Sequence, residues 1–255
     1  SAFVRNALAP SFKTYVVADQ CTCNESNWIA AVVGGSLVAV SSILGEEGDT
    51  SSLEPALSGA IYKLRAHLDV SFDGDSACLE GFGYASGTMW IESAVLPMIE
   101  KSLGIDFSKS LDRSYTEMFW AADHAKKRFF TFGDARLTPP STTAFPWLIE
   151  RYRDPELAWF YDAYKPEPSF VSWHTVLYDT GGVALKKPDL DGAKLFRKTG
   201  TAVFRSDGGE NPFVLTFRGG PFGNHQHLDQ GTFFLADRGE LLLTEMCYSD
   251  YYEDP

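Results

Sequence analysis

The spacing of apolar residues changes near residue 165, and this change constrains the fold of the chain more than any other feature. Up to that point apolar residues recur at helical intervals, as they do from Leu53 to Leu68. After Lys165-Pro166-Glu167-Pro168, short runs of β-branched and aromatic residues alternate with Gly and Asp-Gly turns. Successive helices predict an all-α layer, and the later runs predict an antiparallel sheet. We therefore predict an α+β multidomain chain, helical over residues 1–165 and β over residues 166–255.

Helices are predicted in five segments of the first part. Ser26 or Asn27 is a suitable N-cap for a helix that begins at Trp28 and is rich in small residues. The other four are expected at residues 53–68, 89–103, 114–130 and 145–161, the last with a break near Asp154-Pro155. Residues 69–83 are predicted to form a loop. Strands are predicted at residues 182–186, 195–197, 202–205, 213–218, 232–236 and 240–245.

Composition limits the classes of partner. The formal net charge of -12 argues against nucleic acid, because phosphate binding needs clustered Lys and Arg. It leaves room for an anionic sugar, which needs only a local cationic or hydrogen-bonding pocket. Hydrophobic residues at 44% and aromatic residues at 14% indicate a packed globular protein. Aromatic residues are also what sugar-binding clefts use, although most of them fill the core.

Cysteines and chain ends add little to the functional prediction. Cys21, Cys23, Cys78 and Cys247 show neither C-x-x-C nor zinc-finger spacing, so free buried thiols are expected. No apolar run is long enough to cross a membrane, and no membrane partner is expected. The chain begins without Met and stops directly after a strand pattern. We therefore expect an internal piece of a longer protein.

The segment Gly223-Asn224-His225-Gln226-His227-Leu228-Asp229-Gln230-Gly231-Thr232-Phe233 contains two of the five histidines. On a strand, His225, His227 and Asp229 would face the same side. In a loop, which the flanking glycines allow, they can still meet in space. Imidazoles beside a carboxylate suit proton transfer or metal binding. The structural alternative is a polar turn before a strand.

Three landmarks in order carry a resemblance to a known family. They are Ser26-Asn27-Trp28, then Asp73-Gly74 with Glu80-Gly81-Phe82-Gly83-Tyr84, then the histidine segment followed by Gly239-Glu240-Leu241-Leu242-Leu243. Phe132-Gly133-Asp134 adds a fourth. With these motifs the chain resembles the heparinase II/III-like polysaccharide lyases and their alginate and oligoalginate lyase relatives. The resemblance implies an (α/α) toroid followed by an antiparallel β-sandwich, both partial here because family members are considerably longer.

The resemblance implies three catalytic residues for β-elimination on a uronic acid. Asn27 matches the position that neutralises the substrate carboxylate, and its alternative is a helix N-cap. Tyr84 matches the catalytic Tyr, whose phenol acts as acid or, once ionised, as base. Its alternative is a half-buried core residue. His225 matches the His that moves the C5 proton or helps to neutralise the carboxylate.

Two further residues are candidates for binding substrate. Trp28 stands where some relatives have a His, and because an indole cannot accept a proton, that part of the machinery is absent or altered here. Stacking on a sugar ring is one interpretation of Trp28, and a place in the core is the other. Arg218 precedes the histidine segment and can pair with a substrate carboxylate or form a cross-strand ion pair.

A zinc site is also implied by the resemblance. His227 matches a metal ligand in several relatives, and Glu245 stands where they commonly carry an Asp ligand. A third ligand, a His, would lie beyond Pro255. Glu can bind zinc, but its longer side chain changes the geometry. Asp229 is expected to orient a His through a hydrogen bond.

The remaining histidines have no motif around them. His67 and His174 are expected at the surface or in the linker. His124, just before the basic run Lys126-Lys127-Arg128, is expected on a solvated helix face, and the alternative is that this run holds an anionic sugar.

The expected function is a polysaccharide lyase, a carbon–oxygen lyase acting on alginate or a glycosaminoglycan. A uronyl C5-epimerase shares the proton abstraction but leaves no double bond, and a non-catalytic sugar-binding protein on the same scaffold is the third possibility. A toroid glycoside hydrolase is disfavoured, because it needs two carboxylates across a cleft. The resemblance further implies a secreted enzyme, periplasmic or extracellular. The sequence leaves open the particular uronic acid, the cleavage mode and the oligomeric state.

Overall fold

In the computed structural model, the described residues are 6, 9–13, 24–43, 53–72, 77–111, 115–130, 132–139, 141–166, 172–207, 209, 212–223, 225 and 227–244. Their helices are α1 (Ala9–Phe12), a π-helical turn (Ile29–Gly34), α2 (Gly35–Ser41), α3 (Glu54–Ser71), α4 (Gly81–Leu103), a 3-10 helix (Ser108–Leu111), α5 (Thr116–Trp120), α6 (Phe145–Tyr152), α7 (Pro155–Tyr164) and α8 (Trp173–Leu177). Their strands are β1 (Ala122–Asp123), β2 (Arg128–Phe129), β3 (Gly192–Phe196), β4 (Thr201–Arg205), β5 (Phe213–Arg218), β6 (Phe233–Asp237) and β7 (Glu240–Leu243). The α+β class is confirmed.

The chain divides into two compact units. The helical unit comprises Ser1–Phe72 and Gly87–Asp112, and the sheet unit comprises Asp73–Ser86 and Arg113–Pro255. Helices α5 to α8 and the first turn of α4 therefore belong with the sheet. The change in the spacing of apolar residues near residue 165 divides the chain by position in the sequence. The two units, by contrast, are defined by tertiary contacts. A domain boundary at residue 165 stays a prediction.

The helical unit is packed closely, as its small residues predict. The helix expected at Trp28 is present and begins with the π-helical turn, which buries Ile29, Ala30 and Val33. A Cβ on Gly34 would lie only 2.8 Å from Cγ1 of Val95, so the two helices meet where glycine leaves room. Helix α3 confirms the prediction for residues 53–68, and its buried side chains repeat at the helical interval that the sequence shows.

Helix α4 begins earlier than its sequence pattern indicates. It was expected from residue 89, after a loop, but it starts at Gly81, whose φ is +80°. A Cβ on Gly83 would touch Cβ of Ala135 at 3.6 Å. The glycines therefore permit a close approach to the chain around residue 134 rather than breaking the helix. At the other end Gly104, with φ +67°, terminates the helix as predicted.

The helix predicted at residues 114–130 is wrong in its second half. Helix α5 ends at Trp120, and β1 and β2 then form an antiparallel hairpin. Arg205 on β4 donates hydrogen bonds to the carbonyls of Trp120 (3.1 Å) and Ala122 (2.8 Å). Because a long-range partner takes these carbonyls, the helix stops where the hairpin begins.

The break expected near Asp154-Pro155 is confirmed. Arg153 ends α6 in the left-handed conformation, with φ +53°. The Asp154 side chain then caps α7 by accepting hydrogen bonds from the backbone N–H groups of Glu156 (2.7 Å) and Leu157 (3.3 Å). Local capping chemistry thus separates two helices that share one apolar pattern.

The main sheet has five antiparallel strands in the order β3-β4-β5-β6-β7. One face is the core of the sheet unit, where Val203, Val214 and Phe234 pack against Phe130 and Phe132. Val203 pairs with Thr216, and Thr216 pairs with Phe234, so these inward residues form one row across three strands. Five of the predicted strands lie at or near the observed ones, and β5 has the predicted bounds.

Two segments of the second part differ from the prediction. Residues 182–186 were expected to be a strand but are irregular, and the backbone N–H of Lys186 donates to the Pro155 carbonyl at 3.0 Å instead of to a neighbouring strand. Helix α8 lies in sequence that was assigned to the β part. In both cases tertiary contacts decide the conformation of a short segment whose own secondary-structure preference is weak.

The outer face of the main sheet is apolar and exposed. We call it the outer sheet face and define it by five side chains that keep two fifths to one half of their surface accessible: Leu195, Phe204, Phe213, Phe217 and Phe233. Strands with one buried face normally place polar residues on the other. An apolar patch of this kind indicates a surface that packs against something else.

Three histidine predictions are wrong. His67 and His174 are buried rather than at the surface. Nδ1 of His67 lies 2.6 Å from the Asn24 carbonyl oxygen, and His174 stacks beneath Trp173 at 3.5 Å between ring centroids. His124 lies in the turn of the β1–β2 hairpin rather than on a helix face.

Cys78 is buried and outside any disulfide, as expected, while the other three cysteines lie outside the described residues. Among the helices that the structure describes, none combines the length and the hydropathy needed to cross a bilayer.

Candidate active site

Two segments distant in sequence form the centre of the candidate site. One follows the β1–β2 hairpin and contains Gly133 and Asp134. The other is the histidine loop, which we define as the described residues 219–223, 225 and 227–232 between β5 and β6. The backbone N–H of Asp134 donates to the His225 carbonyl at 2.9 Å, and the N–H of Gly133 donates to Oδ2 of Asp229 at 2.8 Å. The histidine segment is therefore a loop, the second of the two conformations that the sequence allows.

The ends of the histidine loop are held by the sheet. The backbone of Arg218 donates to the Thr232 carbonyl at 3.0 Å, and its carbonyl accepts from the N–H of Gly231 at 2.7 Å. Near its start, Gly220 packs against the backbone of Thr199 with no space for a Cβ. The central strand of the sheet thus fixes both ends of the loop.

One carboxylate joins both histidines of this loop. Oδ2 of Asp134 lies 2.9 Å from Nδ1 of His225, and Oδ1 lies 2.9 Å from Nε2 of His227. The Asp134 side chain is 5% exposed, against 21% for His225 and 35% for His227. A buried carboxylate therefore contacts two imidazoles that reach the surface. His225 has φ +60°, a conformation that residues other than glycine rarely adopt.

Tyr84 stacks on His225. The ring centroids are 3.5 Å apart, and the planes are inclined by 13°. Tyr84 lies in the first turn of α4, which Gly81 and Gly83 bring against the chain around Asp134. Nε2 of His225 is buried and has no hydrogen-bond partner within the described part of the chain. Tyr84 and His225, predicted from widely separated motifs, are thus in direct contact.

Asp229 and Arg218 support this site from behind. Nε of Arg218 lies 3.8 Å from Oδ1 of Asp229, and both side chains are almost fully buried. Burial lowers the pKa of Arg218, while the negative charges of Asp229 and Glu117 oppose that shift. Of the two interpretations of Arg218, the geometry favours the ion pair. The role expected for Asp229 is wrong, because among the described residues it bonds Gly133, and Asp134 contacts the histidines instead.

Asn27 and Trp28 belong to the helical unit. Ser26 provides the cap there, since its Oγ accepts from the backbone N–H of Trp28 at 3.3 Å. Asn27 is half-buried. Trp28 is 60% exposed, so the interpretation of Trp28 as a core residue is wrong and its indole is accessible to solvent.

The predicted metal site is described only in part. Glu245 lies outside the described residues. Where the structure describes the chain, no three His, Cys, Asp or Glu side chains are grouped so that they hold a metal ion. His227 by itself fits the chemistry of a ligand, because a ligating imidazole normally donates its other N–H to a carboxylate, as Nε2 of His227 is placed to do.

Several solved structures are similar to this chain. A heparinase III matches with a TM-score of 0.63 at 16% identity, over 87% of this chain and 35% of its own. The heparan sulfate lyase HepC from Pedobacter heparinus gives 0.60 at 16% identity, over 87% and 33%. A further heparinase III gives 0.62 at 16% identity, over 95% and 35%. The chain has a heparinase-like polysaccharide lyase fold.

This agreement confirms, at the level of fold, the family resemblance carried by the sequence motifs. The chain spans about a third of the length of these heparinase structures. No protein-family profile and no curated protein sequence matches it.

Sequence reasoning missed Asp134 as a member of the site. Its motif, Phe132-Gly133-Asp134, was visible as a family landmark, but the carboxylate was given no role. The available signal was the glycine before it, which has φ +69° and allows the sharp turn that directs Asp134 to the histidine loop.

Proposed function

We propose that the chain is part of a lyase that cleaves a uronic-acid-containing polysaccharide by β-elimination. The observation that carries the proposal is the stack of Tyr84 on His225, with Nδ1 of His225 bonded to Asp134. A phenol and an oriented imidazole in contact are the two groups that acid–base elimination requires. The heparinase-like fold supports the same reaction class.

The chemistry assigns a task to each predicted residue. The C5 proton of a uronate is weakly acidic because the adjacent carboxylate is already negative. The amide of Asn27 would donate to that carboxylate and stabilise the charge that develops on it. A base then removes the C5 proton, its electron pair forms the C4–C5 double bond, and the C4–O bond breaks as an acid protonates the leaving oxygen. Tyr84 and His225 supply the base and the acid.

Variants of these two residues test the proposal. We expect Tyr84→Phe and His225→Ala each to lower turnover at least about a hundredfold while oligosaccharide binding persists, because general acid–base catalysis contributes on that scale. The measurement is the ultraviolet absorbance of the 4,5-unsaturated product. Tyr62→Phe, a change at an exposed tyrosine of the helical unit, is the matched control. Normal turnover in both site variants would contradict the assignment.

Product analysis separates the alternative functions. An epimerase would invert C5 without forming a double bond, and a non-catalytic binding protein would bind the polymer unchanged. Heparan sulfate is the first substrate to test, because the three similar structures are named for activity on it or on heparin. Alginate is the second. A periplasmic or extracellular location, which the resemblance implies, is part of the proposal.

We also propose that His227, with Glu245, contributes to a zinc site, as the resemblance implies. When bound, zinc would hold the loop between β5 and β6 in place. We expect zinc in protein purified without chelator, measured by mass spectrometry, and its loss in His227→Gln. His225→Gln is the control and should retain the metal. Equal zinc content in both variants and the parent protein would remove His227 from the ligand set.

For the architecture, we propose that the helices belong to an (α/α) toroid and the sheet to a β-sandwich. The outer sheet face supports the sandwich, because a second sheet packed on Phe204, Phe217 and Phe233 would bury apolar area that is now exposed.

A further inference from the structure

We infer that Asp134 is a positioning residue that holds the two histidines in opposite neutral tautomers, with a bare Nε2 on His225 and a bare Nδ1 on His227. The effect of Asp134 on turnover rests on the proposed lyase function, whereas the assignment of the tautomers does not. Three features carry the inference: the atoms that meet, the rigidity of the carboxylate and the position of the free nitrogens.

The atoms that meet determine which nitrogen carries each proton. An ionised carboxylate only accepts hydrogen bonds, so both imidazole nitrogens that face Asp134 must carry hydrogen. These are Nδ1 of His225 and Nε2 of His227, each 2.9 Å from its own carboxylate oxygen. In a neutral imidazole the other nitrogen then has the lone pair. One side chain therefore imposes opposite tautomers on two histidines that are two positions apart.

The carboxylate is held firmly enough to impose this choice. The N–H of Asp134 is bonded to the His225 carbonyl, and the N–H of Gly133 is bonded to Asp229, which Arg218 faces from the other side. The Asp134 side chain is 5% exposed, so little water competes for its oxygens. The backbone and the side chain of Asp134 thus both bind the histidine loop.

The free nitrogens are placed where the proposed chemistry needs them. Nε2 of His225 is buried, has no hydrogen-bond partner in the described part of the chain, and belongs to the ring that stacks on Tyr84. Without hydrogen, this nitrogen keeps the lone pair that a base needs. The free Nδ1 of His227 suits a metal ion, since ligating histidines are commonly backed by a carboxylate. Asp134 would in this way serve both histidines at once.

Substitution by asparagine removes this double function. An amide presents one acceptor and one donor, so Asp134→Asn can satisfy only one imidazole in its present tautomer. The other histidine must switch or lose its bond. If His225 switches, its Nε2 carries hydrogen and cannot act as a base.

The test is nitrogen NMR of the full chain with ¹⁵N-labelled histidine rings, recorded in mildly alkaline buffer. His225→Gln and His227→Gln assign the signals. We expect hydrogen on Nδ1 of His225 and on Nε2 of His227 in the parent protein. We expect at least one of the two to switch in Asp134→Asn. Asp237→Asn, at a half-exposed carboxylate of the same unit, is the control and should leave both signals unchanged.

The outcomes separate the inference from the proposed function. Identical tautomers in the parent protein, or the same pair of tautomers in Asp134→Asn, would overturn the inference, and the first result does not depend on the folding of Asp134→Asn. If the parent protein forms unsaturated product, Asp134→Asn should lower kcat at least about tenfold with KM changed by less than about threefold. Correct tautomers without any unsaturated product from acidic polysaccharides would leave the inference standing and reject the lyase.

Discussion

At the scale of single residues, the candidate site separates partly accessible side chains from the buried side chains that hold them. Tyr84 and His225 are in contact and partly accessible, whereas Asp229 and Arg218 are buried behind them. A buried charge that loses its partner is strongly destabilising, because the remaining charge stays desolvated. Arg218 is therefore expected to matter for folding rather than for substrate affinity.

Arg218→Met tests this role. We expect a loss of about 3 kcal/mol in the free energy of unfolding, measured by urea denaturation, because Asp229 would be left uncompensated. Adding Asp229→Asn to Arg218→Met should recover part of the loss. A variant that kept its stability but showed a raised KM would instead support the substrate-binding interpretation of Arg218.

At the scale of elements, the β1–β2 hairpin contains a histidine that burial keeps neutral. Nδ1 of His124 accepts from the Tyr164 hydroxyl at 2.8 Å, and its Nε2–H donates to the Phe119 carbonyl at 3.1 Å. Burial, followed by the positive charge of Arg205, lowers the pKa of His124 from 6.5 to about 3. Burial likewise raises the pKa of Tyr164, so the tyrosine hydroxyl keeps the proton that it donates.

This depressed pKa makes stability depend on pH in one direction. Above the unfolded-state pKa of 6.5 the full contribution of His124 is present, and as the pH falls from 6.5 towards about 3 it is lost, because the unfolded chain binds the proton more readily. The slope is at most about 1.4 kcal/mol for each pH unit. His174, whose pKa burial lowers to about 4, adds in the same direction.

His124→Asn separates this contribution from the rest. An Asn oxygen can still accept from Tyr164 but does not titrate. The measurement is Tm between pH 7.5 and pH 4.5, and we expect a shallower decrease in the variant. His174→Asn is the companion variant for the second buried histidine. A parent-like slope in His124→Asn would show that the imidazole does not control the acid sensitivity of the hairpin.

At the scale of the whole molecule, the outer sheet face leaves five large apolar side chains accessible to solvent. Registers place Leu195 opposite Ala202, Ala202 opposite Phe217, and Phe217 opposite Phe233, so the apolar side chains form a continuous row. Burial of such area contributes roughly 25 cal/mol for each Å². The proposed second sheet would gain this energy by packing there.

The chain by itself should therefore associate through this face. We expect binding of an apolar fluorescent dye and self-association in sedimentation, both reduced in the double variant Phe217→Thr/Phe233→Thr, which keeps β-branched residues on the strands. Tyr62→Ser, at an exposed aromatic of the helical unit, is the control. If the double variant binds the dye and self-associates as the parent chain does, the surface responsible lies elsewhere.

Prediction from sequence succeeded where the signal is local. The helical spacing of apolar residues from Leu53 to Leu68 predicts α3, and a β-rich run bounded by turn residues predicts β5. Each pattern shows which side of the element faces a core. Capping chemistry located the break at Asp154, and Gly104 located the end of α4. Tyr84 and His225 became candidates through motifs in which each residue has recognisable neighbours, and the structure places their rings in contact.

Only the tertiary structure could decide the features that depend on distant partners. The contact between Asp134 and His225 spans 91 positions, and no local period encodes it. The same holds for Arg205, which ends α5 by binding carbonyls 85 and 83 positions away. The sequence by itself determined most helices and strands and the candidates for acid–base chemistry. The tertiary structure decided which carboxylate orients the histidines, because burial and hydrogen-bond geometry arise only when remote segments pack together.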